Sequence, residues 1–494
     1  MELFDHLSMA FAIAMEPSNL FVCFLGVLIG TMVGVLPGLG PVAAISLLLP
    51  ITFTFSSVQA IIMLAGIYYG AQYGGSTTSI LVNIPGESSS VMTCLDGYQM
   101  ARKGRAGPAL GMAAFGSFIG GTFTVIMLML LAPPLAGVAL KFGPPENTAI
   151  MFFGLTMVTY LSSGSVVKAL LMAAFGVLLA CIGADLFTGL QRYTIGYTEL
   201  EDGVGLVPVF MGLFGISEVL INIEDPEKRD VFKTKIKGLF PTRQDWKDSA
   251  GPIARGSVVG FFLGLLPGGG ATIASFISYA MEKKLSKHPE EFGNGAIEGV
   301  AGPETANNAG AGGAFIPLLS LGIPCNVVLA ILLGAFMIHG VTPGPLLLKE
   351  HPDLFWGVVG SMYIGNILLL VLNLPLIGMW VKILKVPYAI LFPLIFLFCL
   401  IGSYSLNNST FDVLIMILFG ILGYLMKKFN YEAAPLALAF VLGPMLEENF
   451  RQSLLISRGS FSIFFIRPIA AVFIITSLLL LVSPFLLKVI RKRQ

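Results

Sequence analysis

Gly26, Gly30, Gly34, Leu36, Pro37, Gly38 and Gly40 recur as Gly256, Gly260, Gly264, Leu266, Pro267, Gly268 and Gly270, every pair 230 positions apart. They sit in the apolar stretches GVLIGTMVGVLPGLGP and GSVVGFFLGLLPGGGA. No other feature narrows the possible folds as much. Small residues at every fourth position let helix backbones approach closely in lipid. The Pro-Gly that follows ends the helix inside an apolar run. A duplicated, centrally broken membrane helix is where transporters build binding sites.

Composition agrees. The 494 residues are 55% hydrophobic and 12% charged, with mean hydropathy +0.86, and the apolar runs exceed a bilayer span. The expectation is an all-α polytopic membrane protein. A net charge of +1, with basic residues scattered through short loops, excludes a nucleic-acid partner. Cys23, Cys94, Cys181, Cys325 and Cys399 stand singly in apolar sequence and suggest neither a disulfide framework nor a metal cluster. The start MELFDHLSMA lacks the basic region of a cleavable signal, so residues 1–18 read as an amphipathic lead-in to the first membrane segment.

Beyond the glycine motif the halves keep a drifting register. Ile84-Pro85 matches Ile323-Pro324 at an offset of 239, and Gly116, Ser117 and Gly121 match Gly360, Ser361 and Gly365 at 244. Tyr160, Phe175 and Gly176 match Tyr404, Phe419 and Gly420, also at 244. The expected domains are repeat one at 19–222, a hydrophilic linker at 223–249, repeat two at 250–450, and an extra membrane helix with a basic tail at 451–494. Segments 20–50 and 251–281 have arms of about 15 residues, short of the roughly 20 a span needs, and are expected to be re-entrant hairpins. Spans are expected near 58–82, 108–140, 148–161, 166–189 and 204–222, then 300–338, 353–381, 388–404, 411–426, 432–446 and 464–488. That makes about 11 spans plus two hairpins.

The first basic residue is Arg102, so the N-terminus is expected outside, and the loop of Arg102, Lys103 and Arg105, the linker and the C-terminus inside. Only Arg451 and Arg458 fall on the wrong side of this scheme. Five spans and a hairpin give an odd number of crossings, so repeat two enters from the opposite face. Inverted repeats point to alternating access rather than to a simple pore.

A second broken segment follows each hairpin: GAQYGGSTTSILVNIPGESSS at 70–90 and GPETANNAGAGGAFIPLLSLGIPCN at 302–326. Dense glycine inside a membrane segment leaves backbone groups unpaired unless they meet a cavity or ligand. With the hairpin tips Pro37, Gly38, Gly40, Gly268, Gly269, Gly270 and Thr272, the polar groups of Ser76, Thr77, Thr78, Asn83, Asn307, Asn308 and Asn326 are expected to bind substrate. Helix-start amides suit carboxylates, and unwound carbonyls suit a sodium ion. Cation coupling is expected at Gly40, Asn83, Glu87, Gly270, Glu304 and Gly322, with sodium at these same broken helices. The competing reading is that such small and hydroxylated residues serve helix packing, and that Glu87 and Glu304 are solvated carboxylates at a cavity mouth. Asp185, Glu218 and Asp412 read as interfacial, and His339 as a loop residue. Pro133-Pro134 reads as a kink and Pro144-Pro145 as a loop. No Lys or Arg occurs in 1–101, 256–282 or 288–348, so charge on a bound carboxylate must be balanced by helix starts and cations.

HExxH, Walker A, GxSxG and zinc-type Cys/His spacings are absent, so an enzyme is not expected and transport must draw on an ion gradient. The strings GVLPGLGP, GIYYGAQYGGSTTSILVNIPGESSS, DGYQMARKGRAGPALG, GLLPGGGATIASF and EGVAGPETANNAGAGGAFIPLLSLGIP resemble the large membrane subunit, TctA, of the tripartite tricarboxylate transporter family. The resemblance implies a bacterial inner-membrane, cation-coupled secondary carrier. It would take a di- or tricarboxylate from a periplasmic solute-binding protein and work with a small four-helix membrane subunit. The wider ion-transporter superfamily it resembles has inverted repeats, re-entrant hairpins and an elevator-like transport domain. Sodium is the expected coupling ion, with a proton carried by Glu87 or Glu304 as the alternative, and no other cofactor is implied.

Overall fold

The computed structural model describes residues 2–36, 39–160, 165–224, 238–268, 270–384, 386 and 388–491. Repeat one, with its lead-in, contains α1 (Glu2–Ala14), α2 (Pro17–Val35), α3 (Pro41–Leu48), α4 (Ser57–Val82), α5 (Val91–Arg102), α6 (Ala106–Ala139), α7 (Pro144–Tyr160), α8 (Val166–Ala180) and α9 (Leu206–Glu224). Repeat two contains α10 (Arg243–Gly264), α11 (Gly270–Leu285), α12 (Glu298–Gly313), α13 (Phe315–Leu321), α14 (Val327–Ile338), α15 (Pro352–Asn373), α16 (Ile377–Ile383), α17 (Tyr388–Asn407), α18 (Thr410–Lys428) and α19 (Ala433–Ile456). The last helix is α20 (Pro468–Arg491). Among the described residues the only strands are β1 (Gly183–Ala184) and β2 (Gln191–Arg192), a short antiparallel pair. The protein is a helical membrane protein.

The duplicated glycines have one packing role in both halves. An added Cβ at Gly26, Gly30 or Gly34 on α2 would meet the backbone oxygen of Met63, Ile67 or Ala71 on α4 at 2.2–2.5 Å. On α10, Gly256, Gly260 and Gly264 stand in the same relation to Gly302, Ala306 and Gly310 on α12, at 2.3–2.6 Å. Those three acceptors lie 239 positions after Met63, Ile67 and Ala71, the register of the Ile-Pro pairs. The helix breaks repeat as well: Asn83 ends α4 in the left-handed conformation (φ 61°), and Gly322, 239 positions on, ends α13 the same way (φ 73°).

The halves also pack on each other reciprocally. Gly120 of α6 abuts Thr305 of α12, while Gly365 of α15 abuts Tyr69 of α4. Gly176 of α8 seats on Leu436 and Phe440 of α19, and its counterpart Gly420 on α18 meets Ile216 of α9.

Hydropathy misplaced several element ends. Among the described residues, six helices are long and apolar enough to cross a membrane: Pro17–Val35, Ala106–Ala139, Leu206–Glu224, Pro352–Asn373, Ile390–Asn407 and Thr410–Lys428. The first arm of the first hairpin is thus 19 residues, longer than expected, while its second arm runs from α3 through a 3-10 turn to Thr54, close to the expected length. The stretch expected as one span at 300–338 is three helices, α12 to α14, because its glycines and Gly322-Ile323-Pro324 interrupt the ladder. The expected 166–189 span stops at Ala180, and α9 carries a π-turn at Met211–Ile216. Pro144 opens α7 instead of lying in a loop, a position where the missing N–H costs nothing. The expected linker ends early, since a Thr242–Asp245 capping box starts α10 at Arg243. The lead-in helix α1 packs on α15, with His6 stacked on Trp356 at 4.5 Å.

Arg451 is explained by its partners. It pairs with Asp185 (2.7 Å) and Glu447 (3.2 Å), while Arg192 pairs with the same two acids at 3.1 and 2.6 Å. Charge statistics along a chain cannot see such compensation.

A cavity between the broken helices

Four helix starts meet at one cavity of 760 Å³. Gly40 (φ 37°) leads into α3, whose first residues Pro41, Val42 and Ala43 line the wall. Glu87 opens the turn Ser88–Ser90 that runs into α5. From repeat two come Gly268 (φ 109°) with Ala271, Thr272 and Ile273 of α11, and Asn326 with Val327 and Val328 of α14. Glu87 and Asn326 are repeat counterparts, 239 positions apart, with the same extended backbone (φ −149° and −152°). The Asn326 amide oxygen accepts the Leu329 N–H at 2.9 Å, and its Nδ2 donates to the Tyr68 hydroxyl at 3.0 Å. Ser88 and Thr272 hydroxyls, one from each repeat, lie 3.0 Å apart. Ser89 sits against the Glu87 carboxylate and 2.9 Å from Gln72 Oε1. At the rim, Lys427 forms an ion pair with Glu218, and Glu432 lies alongside.

A second polar group lies behind this wall. Glu304 is fully buried in the middle of α12, not beside a break as expected. The Ser76 hydroxyl donates to its Oε2 at 2.5 Å and the Thr93 hydroxyl to its Oε1. Asn308 donates to Ser117 Oγ at 2.7 Å. Asn307 is 0% exposed, and neither its Nδ2 nor its Oδ1 has a hydrogen-bond partner among the described residues. Its amide lies toward Glu87.

Of the residues read from sequence, Gly40, Glu87, Gly268, Thr272 and Asn326 line the large cavity. Gly270 starts α11, with an added Cβ there blocked by Leu263 O at 2.5 Å. Ser76, Thr77, Asn307 and Asn308 are buried behind the cavity, and Thr78 caps the end of α2 through Val35 O at 2.7 Å. Asn83 is exposed at its helix end, and Gly322 packs on Pro343 O. Both therefore shape the breaks without facing the cavity. Pro37, Gly38 and Gly269 lie outside the described residues. Gln72, Tyr68 and Lys427 were missed: the first two look like ordinary residues of a packed helix, and Lys427 looks like a loop cation. Glu218, expected at an interface, reaches the rim, and Asp412 accepts from Asn407 at 2.8 Å. His339 ends α14 with its ring 3.2 Å from Thr52.

Duplicated glycine-packed helices, broken where they enclose a polar cavity, define a polytopic membrane protein with a site at its helix breaks. Comparison with known proteins makes this specific. The chain belongs to the tripartite tricarboxylate transporter TctA family, whose model matches residues 20–438. It is 54% identical over 494 residues to the "Uncharacterized 52.8 kDa protein in TAR-I ttuC' 3'region" of Agrobacterium vitis, covering 100% of this chain and 98% of that protein. A second Agrobacterium vitis protein, "Uncharacterized protein in TAR-II ttuC' 3'region", is 58% identical over 212 residues, 43% of this chain and 88% of that protein. No solved structure matches significantly. The family is one of transporters, not enzymes; its members form the large membrane subunit of tripartite systems, with a small membrane subunit and a periplasmic binding protein.

Proposed function

We propose that the chain imports a di- or tricarboxylate across the bacterial inner membrane by sodium symport, receiving it from the binding protein on the periplasmic side. The observation that carries this reading is the convergence of four helix starts, two from each repeat, on one cavity. Each helix start favours an anion by about 0.3–2 kcal/mol. Asn326 and Glu87 cap two of these starts with their own side chains, so a bound carboxylate adds to the start of α3, which has no side-chain cap, and to that of α11. Lys427, the cavity's one basic side chain among the described residues, is engaged by Glu218 at the rim. Glu87 would repel the substrate unless a cation rests on it, with Ser89, Gln72 and the unpartnered Asn307 amide at hand as neutral ligands. Cation and anion then bind together, which is coupling. Asn83 and Gly322 act by holding the breaks open.

The reciprocal packing of the repeats supports an inverted arrangement and an elevator-like motion of the hairpins and broken helices. Contacts between loops agree with the orientation read from charge. Lys103 donates to Asn294 O at 2.6 Å and Arg105 pairs with Asp245, joining loops read as cytoplasmic, while His339 meets Thr52, joining loops read as periplasmic. The N-terminus is then periplasmic and the C-terminus cytoplasmic.

A proton-coupled carrier is favoured by one observation, the burial of Glu304 among hydroxyls with no basic partner among the described residues. Citrate uptake into vesicles holding the complete tripartite system separates the two. An imposed sodium gradient at equal pH should drive accumulation. Uptake that follows a pH gradient and ignores sodium would favour the proton.

A further inference from the structure

Behind Ser76 and Ser117, away from the large cavity, lies a small cavity of 10 Å³ whose polar border is Tyr73, Ser76, Thr77, Ser117 and Asn373 and whose apolar border is Leu110, Ala113 and Ala114. Its size is about that of one water-sized sphere. Asn373 ends α15 and is 5% exposed; its Nδ2 donates to Leu369 O at 2.9 Å. That bond fixes which amide atom is the oxygen, because an oxygen there would face another oxygen. Asn373 Oδ1 is left buried with no partner among the described residues. An orphaned acceptor of this kind costs about 1–3 kcal/mol.

The hydroxyls on the opposite wall are polarised in a particular direction. Ser76 gives its proton to Glu304, and Ser117, whose oxygen accepts from Asn308, lies beside the same carboxylate. Lone pairs of both serines are therefore available to the small cavity, with the buried Glu304 carboxyl one layer behind them, which an ion in the cavity would hold in its charged form. A water could donate to only two of these acceptors, whereas a small dehydrated cation is attracted by all of them and by the carboxyl behind. The walls come from α4, α6 and α15, which belong to both repeats.

We propose that this cavity is a second sodium site, with Ser76, Thr77, Ser117 and Asn373 Oδ1 as ligands and Glu304 as the charge that orients and polarises them. Its role as a coupling site rests on the sodium-symport reading; its binding of sodium does not. Glu304 then acts as a positioning residue for the ion, which accounts for a buried carboxylate with no basic partner among the described residues.

The test uses the purified full-length protein with its small subunit, in a Glu87→Gln background that silences the site at the large cavity. Thermal unfolding is followed while sodium replaces choline at constant ionic strength. Sodium should raise the melting temperature, and Ser117→Ala, Thr77→Val and Glu304→Gln should each raise the half-saturating sodium by about 10- to 100-fold, as loss of a ligand or supporting partner does at metal sites. Thr77→Val preserves shape, so it remains informative if the others fold poorly. Sodium dependence unchanged by all three variants, or no sodium effect beyond that of choline, would overturn the site and leave a resident water only. In Glu87-intact vesicles, citrate uptake should show a sodium Hill coefficient of about 2 that falls to about 1 in Ser117→Ala. Sodium-independent uptake alongside a Ser117-dependent melting shift would sink the symport reading while upholding the site.

Discussion

At the scale of single residues, the closest contacts between the duplicated helices are made at glycines, where any side chain would strike backbone. Gly30 and Gly260 could be read as close-packing positions because their spacing repeats, and the structure gives the reason: an added methyl would lie 2.5 Å from Ile67 O or 2.3 Å from Ala306 O. Both contacts are backbone to backbone and cannot yield cheaply. Gly30→Val or Gly260→Val is expected to prevent recovery of folded protein, whereas Gly378→Ala, where an added Cβ meets nothing within 4 Å, should express normally; size-exclusion chromatography reads the difference. Glu304 and Glu87 were visible as intramembrane acids, but which of them faces the cavity depends on helix rotation and on the fold of a distant segment. Asp185 shows a different limit. Backbone N–H groups of Thr188 and Phe187, then Arg451, hold its carboxyl well below the ordinary 3.8. A depressed acid contributes stability above its unfolded value that is lost as pH falls through the folded value. Acidifying below about 4 should therefore lower the melting temperature of the wild type more than that of Asp185→Asn.

At the scale of elements, the broken helices were legible because Pro-Gly and Ile-Pro recur in register. Counting spans was less secure: 108–140 reads as one long segment and is the 34-residue α6, but hydropathy averages across a break and merges α12, α13 and α14 into one stretch at 300–338. The matched ends Asn83 and Gly322 carry a prediction. Gly322 has φ 73°, and a Cβ there would lie 2.6 Å from Pro343 O. Gly322→Ala should cost about 1–2 kcal/mol from the left-handed backbone alone. Asn326→Ala should cost about 1 kcal/mol as a lost helix cap, and should also raise the half-saturating citrate, because the start of α14 would lose its fixed geometry at the cavity. Unchanged citrate dependence in a stable Asn326→Ala protein would mean that this helix start does not touch the substrate.

For the whole molecule, the duplication was the most legible property, and reciprocal packing of the two halves gives it physical content. Single cysteines at Lys103 and His351, with the five native cysteines replaced, should react from opposite sides of the membrane; labelling from one side would contradict inverted repeats. The convergence of four helix starts was only partly legible, because a sequence supplies helix ends but not the place where they meet. The central claim is that helix starts and sodium, not basic side chains, balance the charge of the carboxylate. Citrate binding to the purified complex across sodium concentrations tests it most directly, in the wild type, in Glu87→Gln and in a variant with Arg192 and Arg255 neutralised. The account predicts that citrate affinity rises with sodium in the wild type and in the arginine variant, and that Glu87→Gln flattens that rise. Affinity indifferent to sodium, or binding abolished by loss of the arginines alone, would contradict it.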